Sequence, residues 1–159
     1  MDETVRLRVN GEQVELACGK DERLIDLLRE RLGLTGTRFG CGEEMCGACM
    51  VLVDDRPAYA CTFAATDAAG KDVITIEGLG SEAAPHALQS AFLELQAGQC
   101  GYCLSGIIVS AAALLKRNPA PSRAQIAEAL DPHLCRCGAH HRILKAVEAA
   151  AHQIAASPA

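Results

Sequence analysis

Apolar and polar positions alternate along the first half of the chain and recur at helical spacing along the second. Val5, Leu7 and Val9 alternate with Arg6 and Arg8, the pattern of a half-buried strand. Asn10-Gly11 follows, a pair that tolerates positive φ and predicts a tight hairpin turn, with Val14 to Leu16 as the return strand. Asp21 reads as the N-cap of a helix carrying Leu24, Leu27, Leu28 and Leu32 on one face, with Gly33 as its stop. Residues 36–49 form a Gly- and Cys-rich loop. Met50 to Val53 and Pro57 to Cys61 predict a second hairpin around Asp54-Asp55, and Val73 to Ile76 a last short strand.

The second half changes period. His86 to Ala97 carries Leu88, Ala91, Phe92 and Leu95 at helical spacing before Gly98, and Ile107 to Leu115 continues as an apolar helix that stops near Asn118-Pro119. Ser122-x-x-Gln125 is a capping box that opens a helix through Leu130. Ile143, Val147, Ala150, Ala151 and Ile154 line a last helix. The expected architecture is therefore α+β. A β-grasp domain over 1–79 is followed by a four-helix bundle over 80–159, with the linker at about 78–85, where two Gly, a Ser and a Pro fall together.

Composition narrows the class. The chain has 159 residues, of which half are hydrophobic but only 3% aromatic, with no Trp. A core of Ala, Leu, Val and Ile buries little area per residue, so two small domains gain from a metal site or a partner surface. Residues 1–79 hold 9 basic against 15 acidic residues, and residues 80–159 hold 6 against 5. An acidic half argues against nucleic acid. It fits either a steered protein partner or a solvated surface. The acidic start Met1-Asp2-Glu3-Thr4 does not resemble a signal peptide, and no apolar run reaches the roughly 18 residues of a membrane span. Nine cysteines, an odd number with close C-x2-C and C-x-C pairs, favour metal in a reducing, cytoplasmic compartment over a disulfide scaffold.

Eight of those cysteines form two sets of four. Cys41-x4-Cys46-x2-Cys49-x11-Cys61 has the plant-type [2Fe–2S] spacing, with Gly40, Gly42 and Gly47 flanking the ligands. Zinc or buried thiols are the other reading. Cys100-x2-Cys103-x31-Cys135-x-Cys137 supplies four more thiols in two close pairs. Both pairs fall at predicted helix starts, where the positive end of the dipole favours an anionic ligand. Zinc stays open there too. Cys18, the ninth, reads as a partly buried spectator. His140 and His141 would suit a Rieske site, but with eight cysteines available they read as helix-start surface residues. His86 and His133 border helices and read as capping or surface positions. Tyr102, between two ligands, is expected to shield the second site, and Met45 either covers the first site or meets a partner.

The chain resembles the small iron–sulfur subunits of the molybdenum hydroxylases, the xanthine dehydrogenase and aldehyde oxidoreductase group. The resemblance runs nearly end to end. It is carried by Leu34-Thr35-Gly36-Thr37-Arg38-Phe39-Gly40-Cys41-Gly42, Cys46-Gly47-Ala48-Cys49, Thr75-Ile76-Glu77-Gly78-Leu79, Gln99-Cys100-Gly101-Tyr102-Cys103 and Leu134-Cys135-Arg136-Cys137-Gly138. It implies a ferredoxin-like domain with an outer [2Fe–2S] cluster, a helical domain with an inner one, and no catalytic residue on this chain. It also implies a large partner subunit holding molybdopterin, in the cytosine dinucleotide form. Electrons would pass from there through the inner and then the outer cluster to a flavin or cytochrome protein. Gln99 and Cys137 match the positions that contact the pterin, although Gln99 also reads as an exposed helix-terminal residue. Leu104-Ser105-Gly106 and Gly138-Ala139-His140-His141-Arg142 depart from the commoner Thr-Pro-Gly and Thr-Gly-Tyr. C-G-Y-C-x-S-G with C-R-C-G looks like the branch acting on N-heterocycles, the isoquinoline and nicotinate enzymes, with an aldehyde-oxidising complex as the alternative. A non-enzymatic zinc- or iron–sulfur-binding redox sensor is the reading from a different class.

Overall fold

A computed structural model describes residues 3–156, so the acidic Met1-Asp2 start lies outside the described residues. Strands β1 (Glu3–Val9) and β2 (Glu12–Cys18) pair antiparallel, with Val5 opposite Leu16. Asn10 and Gly11 turn the hairpin with φ of 51° and 86°. The second hairpin is β3 (Met50–Val53) and β4 (Arg56–Tyr59), turned by Asp54 and Asp55 at φ of 49° and 64°. β5 (Asp72–Ile74) runs parallel to β1 and antiparallel to β3, giving the order β2-β1-β5-β3-β4. First and last strands side by side between two hairpins make the β-grasp arrangement that the hydrophobic alternation predicts.

Helix α1 begins at Leu24, not at the expected Asp21 cap. It runs Leu24–Asp26 and continues as a wider π-turn over Leu27–Arg31. Arg23 occupies the cap position without a side-chain cap bond. The Leu24 and Ile25 amides instead donate to the carbonyls of Phe63 and Ala60 at 2.8 and 2.9 Å. Tertiary carbonyls satisfy the orphan donors, so no side-chain cap is needed. Leu24, Ile25, Leu27 and Leu28 pack with Val5, Leu7, Val51 and Val73 as the sheet core.

Two strands are shorter than expected. β4 ends at Tyr59 and leaves Cys61 in the following turn. β5 ends at Ile74, because buried Thr75 turns the chain into short α2 (Ile76–Leu79). Asn10 holds that corner: its side chain accepts from the Thr75 amide at 2.9 Å and donates to Thr75 Oγ1 at 3.0 Å.

Four longer helices follow: α3 (Ala87–Glu94), α4 (Leu104–Arg117), α5 (Arg123–Leu130) and α6 (His140–Ala156). Capping boxes open α3 (His86 with Gln89) and α5 (Ser122 with Gln125). α3 stops at Glu94, before the expected Ala97, since Gln96 takes φ of 46° and the Ala97 amide returns to the Phe92 carbonyl. Leu95 is consequently exposed. α4 is buried almost all round over Gly106 to Leu115. One side enters the helical core with Ile126, Ile143 and Val147, while Val109 and Ala113 meet Leu52 of the sheet. Among the described residues no helix is long and apolar enough to cross a membrane.

Candidate metal centres

Cys41 and Cys46 lie in the 36–49 loop, Cys49 directly before β3 and Cys61 just past β4. The two strands of this hairpin thus bring the late cysteine back to the loop. Cys41 lies against Cys46, and Cys49 lies against Cys61 and, more weakly, feels Cys46. Backbone amides point at the exposed sulfurs. Glu43 and Met45 donate to Cys41 Sγ at 3.4 and 3.2 Å, and Cys41 donates to Cys46 Sγ at 3.4 Å. The Glu43 amide, followed by that of Met45 and the Cys46 thiol, holds Cys41 down at about 7. Burial, with Cys61 alongside, pushes Cys49 up to about 12.

The second set joins two segments distant in sequence. Cys100 lies in the turn before α4 and Cys103 is that helix's N-cap, while Cys135 and Cys137 lie on the segment leading into α6. Here the closest thiol neighbours come from the other segment, Cys137 for Cys100 and Cys135 for Cys103, with Cys100 a weaker neighbour of Cys103. The Tyr102 amide and then the Cys137 thiol lower Cys100. Burial, then Cys135, pushes Cys103 up to about 12. Desolvation therefore outweighs the helix-terminus effect expected from the sequence at Cys103.

Each set is two pairs, with one exposed pair member that ionises readily and one buried thiol that does not. Two pairs suit two irons, each taking two thiolates. A bound cation would reverse the burial penalty at Cys49 and Cys103, because coordination deprotonates a thiol outright. The donor chemistry fits an iron–sulfur cluster at both places.

The two sets share a seam. The Leu134 amide, next to Cys135, donates to the Cys46 carbonyl at 3.1 Å. Tyr102 hydroxyl donates to the Phe39 carbonyl, and the Arg38 guanidinium stacks 5.9 Å from the Tyr102 ring centre. Tyr102 thus spans from the second set to the first loop. A small apolar cavity between the sets is lined by Gly40, Cys41, Cys46, Cys100, Cys103 and Leu134. Gly47 (φ 69°) and Gly106 face each other across the seam. A Cβ on Gly106 would lie 2.1 Å from the Gly47 carbonyl oxygen, and one on Gly47 would lie 2.4 Å from His133 Nδ1.

His133 is where the sequence reading fails. It is neither capping nor surface but 4% exposed, with Nε2 2.8 Å from Ser110 Oγ of α4. Burial holds its ring near 4, far below the usual imidazole range. The available signal was Gly106 and Ser110, one turn apart, as a small and polar notch in an otherwise apolar helix.

Gln99 is exposed at the second set, its Nε2 donating to the Cys137 carbonyl at 3.2 Å. Met45 is 68% exposed and turns only its amide toward the first set. Cys18 is buried at the end of β2. His140 and His141 are exposed on the first turn of α6, with His141 beside Arg123.

Residues 7–73 match the family described as a 2Fe-2S iron-sulfur cluster binding domain, and residues 75–148 match a [2Fe-2S] binding domain. One of the nicotinate dehydrogenase subunits from Pseudomonas putida is 49% identical over 95% of this chain and 96% of its own length. The alpha chain of isoquinoline 1-oxidoreductase from Brevundimonas diminuta is 47% identical over 92% of this chain and 97% of its own. An aldehyde oxidoreductase from Desulfovibrio desulfuricans superposes with a TM-score of 0.93 and 39% identity, over 96% of this chain and 17% of that longer one.

Proposed function

The chain belongs to the small iron–sulfur subunits of the molybdenum hydroxylases, which transfer electrons within molybdenum-dependent oxidoreductases, and we propose how its residues perform that role. Cys41, Cys46, Cys49 and Cys61 hold the outer [2Fe–2S] cluster; Cys100, Cys103, Cys135 and Cys137 hold the inner one. The convergence of four thiols in each set, with backbone amides aimed at the Cys41 and Cys46 sulfurs, carries this reading. Each cluster, when bound, takes up and gives back one electron. The chain's own residues supply the ligands, aim amides at exposed sulfurs and keep water from Cys49 and Cys103. The division at 1–79 and 80–159 belongs to the same proposal. It is supported by two apolar cores, although Ile76 and Leu79 reach from the first part into the second.

The partner is a large molybdopterin-binding subunit, with Gln99 and Cys137 at the contact and the cofactor in its cytosine dinucleotide form. Exposure of Gln99 beside the Cys137 carbonyl supports that contact. The overall reaction is hydroxylation of an N-heterocyclic aromatic, after the names of two relatives. An aldehyde-oxidising complex is the second reading, favoured by the close superposition on an aldehyde oxidoreductase. A flavin or cytochrome protein takes the electrons, in the cytoplasm.

Two [2Fe–2S] sites require about four iron and four acid-labile sulfide per chain, with visible absorbance to match. Metal and sulfide analysis of the purified chain checks this, and zinc replacing half the iron would sink it. Gln99→Ala should keep both clusters yet weaken assembly with the large subunit. Losing one hydrogen bond costs about 0.5–1.5 kcal/mol and an unsatisfied buried partner about 1–3, so the loss is several-fold to roughly hundredfold. A binding titration and single-turnover cluster reduction measure it. Unchanged values would return Gln99 to the surface.

A further inference from the structure

The segment 132–135 is held against the 46–48 loop by more than the Leu134 bond. His133 sits at its centre, its amide donating to the Leu130 carbonyl at 3.0 Å and its ring reaching Ser110 on α4. Ser110 is itself buried, so this is a polar contact inside an apolar helix face. The ring's other nitrogen, Nδ1, lies against the Gly47 backbone, a polar neighbour that offsets part of the ring's burial although the geometry falls short of a full hydrogen bond. Leaving a buried polar atom short of a full hydrogen bond is unfavourable, and such atoms are rare in native proteins. A Leu or Phe would fill this space without that cost. What the imidazole adds is a fixed direction, since Ser110 sets the ring and the ring sets where Gly47 can lie.

We propose that His133 is a positioning residue for electron transfer within this chain: anchored on Ser110, it fixes the spacing between the segment bearing Cys135 and the loop bearing Cys46. Those cysteines belong to different cluster sites on the reading above, and the inference rests on it. Exchange of one electron between two centres, the inner oxidised as the outer is reduced, falls steeply with their separation. A wedge that removes play between the two loops holds that separation at one value. His133 touches neither metal nor substrate; it acts through Gly47 and Leu134.

The test uses the full chain loaded with iron. His133→Ala should retain wild-type iron and sulfide. Its Leu134 amide should exchange with solvent at least about tenfold faster, as the bond to the Cys46 carbonyl loosens. The magnetic coupling between the two reduced centres, seen as splitting in the EPR spectrum, should broaden or shrink. Electron exchange between the centres should slow several-fold. His133→Gln, whose amide nitrogen can reach Ser110, should restore most of each. Unchanged Leu134 exchange and unchanged coupling in an iron-replete His133→Ala would overturn the proposal. Should His133→Ala fail to fold or load, Ser110→Ala decides, because it removes only the anchoring hydroxyl. The same changes, smaller, support the latch, and their absence overturns it. Iron and sulfide content of the unsubstituted chain tests the cluster reading separately, while Leu134 exchange reports the latch whatever metal is bound.

Discussion

Gly106→Ala is expected to destabilise the protein and to strip iron from the first set of cysteines, although it adds only one methyl group to a helix. The intrinsic effect has the opposite sign: in a helix interior Ala is favoured over Gly by about 1 kcal/mol. The surroundings decide the outcome. The new Cβ would lie 2.1 Å from the Gly47 carbonyl oxygen, 3.2 Å from its carbon and 3.3 Å from the Ala48 carbon. All three are backbone atoms of the loop between Cys46 and Cys49, so no side-chain rotation relieves the clash. The loop must move away from α4, and its two cysteines move with it. Overpacking of this kind costs about 1–3 kcal/mol, sometimes more. A chain of this size loses about 2–4 °C in Tm per kcal/mol. The expected result is a fall of several degrees in Tm, with loss of the outer EPR signal before the inner one. Gly19→Ala is the control, because nothing lies within 4 Å of its added Cβ. An iron-replete Gly106→Ala with equal or higher Tm would show that the seam yields freely, and would weaken the case that it sets the spacing between sites.

Legibility in the sequence followed the range of each signal. Asn10-Gly11, Asp54-Asp55 and the Ser122–Gln125 box are complete within a few residues, and each forms where expected. Asp21 was misleading because the α1 amides are satisfied by Phe63 and Ala60, about 40 residues on in a chain whose turn brings them back. His133 was misread for the same reason. Its sequence neighbours describe a helix border, while its burial comes from α4 and from the first cysteine loop. The cysteine sets were legible by spacing, but not how they pair. In the second set each thiol meets one from the other segment, so sequence-adjacent cysteines are split between pairs. Spacing counts the thiols of each set; only the packing of α4 against the segment before α6 brings those of the second set together.

That pairing makes Cys46→Ser and Cys103→Ser separable experiments, and each should abolish a different EPR signal while about half the iron remains. Serine nearly matches cysteine in size but replaces a soft thiolate with a hard and far less acidic oxygen donor, so one of the four proposed ligands is lost or much weakened. At Cys46 the cost stays local. The bond to Leu134 uses the Cys46 backbone carbonyl, which the substitution leaves in place, so the second set keeps its support. At Cys103 the backbone is already helical and makes no side-chain cap bond, so serine removes no cap and α4 should still begin at Leu104, although the hydroxyl is buried in the helical core. On the proposed contact through Gln99 and Cys137, Cys103→Ser should also loosen the complex with the large subunit, because Gln99 is bonded to the Cys137 carbonyl of the same set. Cys18→Ser buries a hydroxyl in the sheet core, costing up to about 1–3 kcal/mol if left unsatisfied, yet should leave both signals intact. The discriminating result is the loss of both signals from a folded Cys46→Ser or Cys103→Ser. The two sets would then load as one unit, and the seam through Leu134, Gly47 and Gly106 would govern cluster retention as well as spacing.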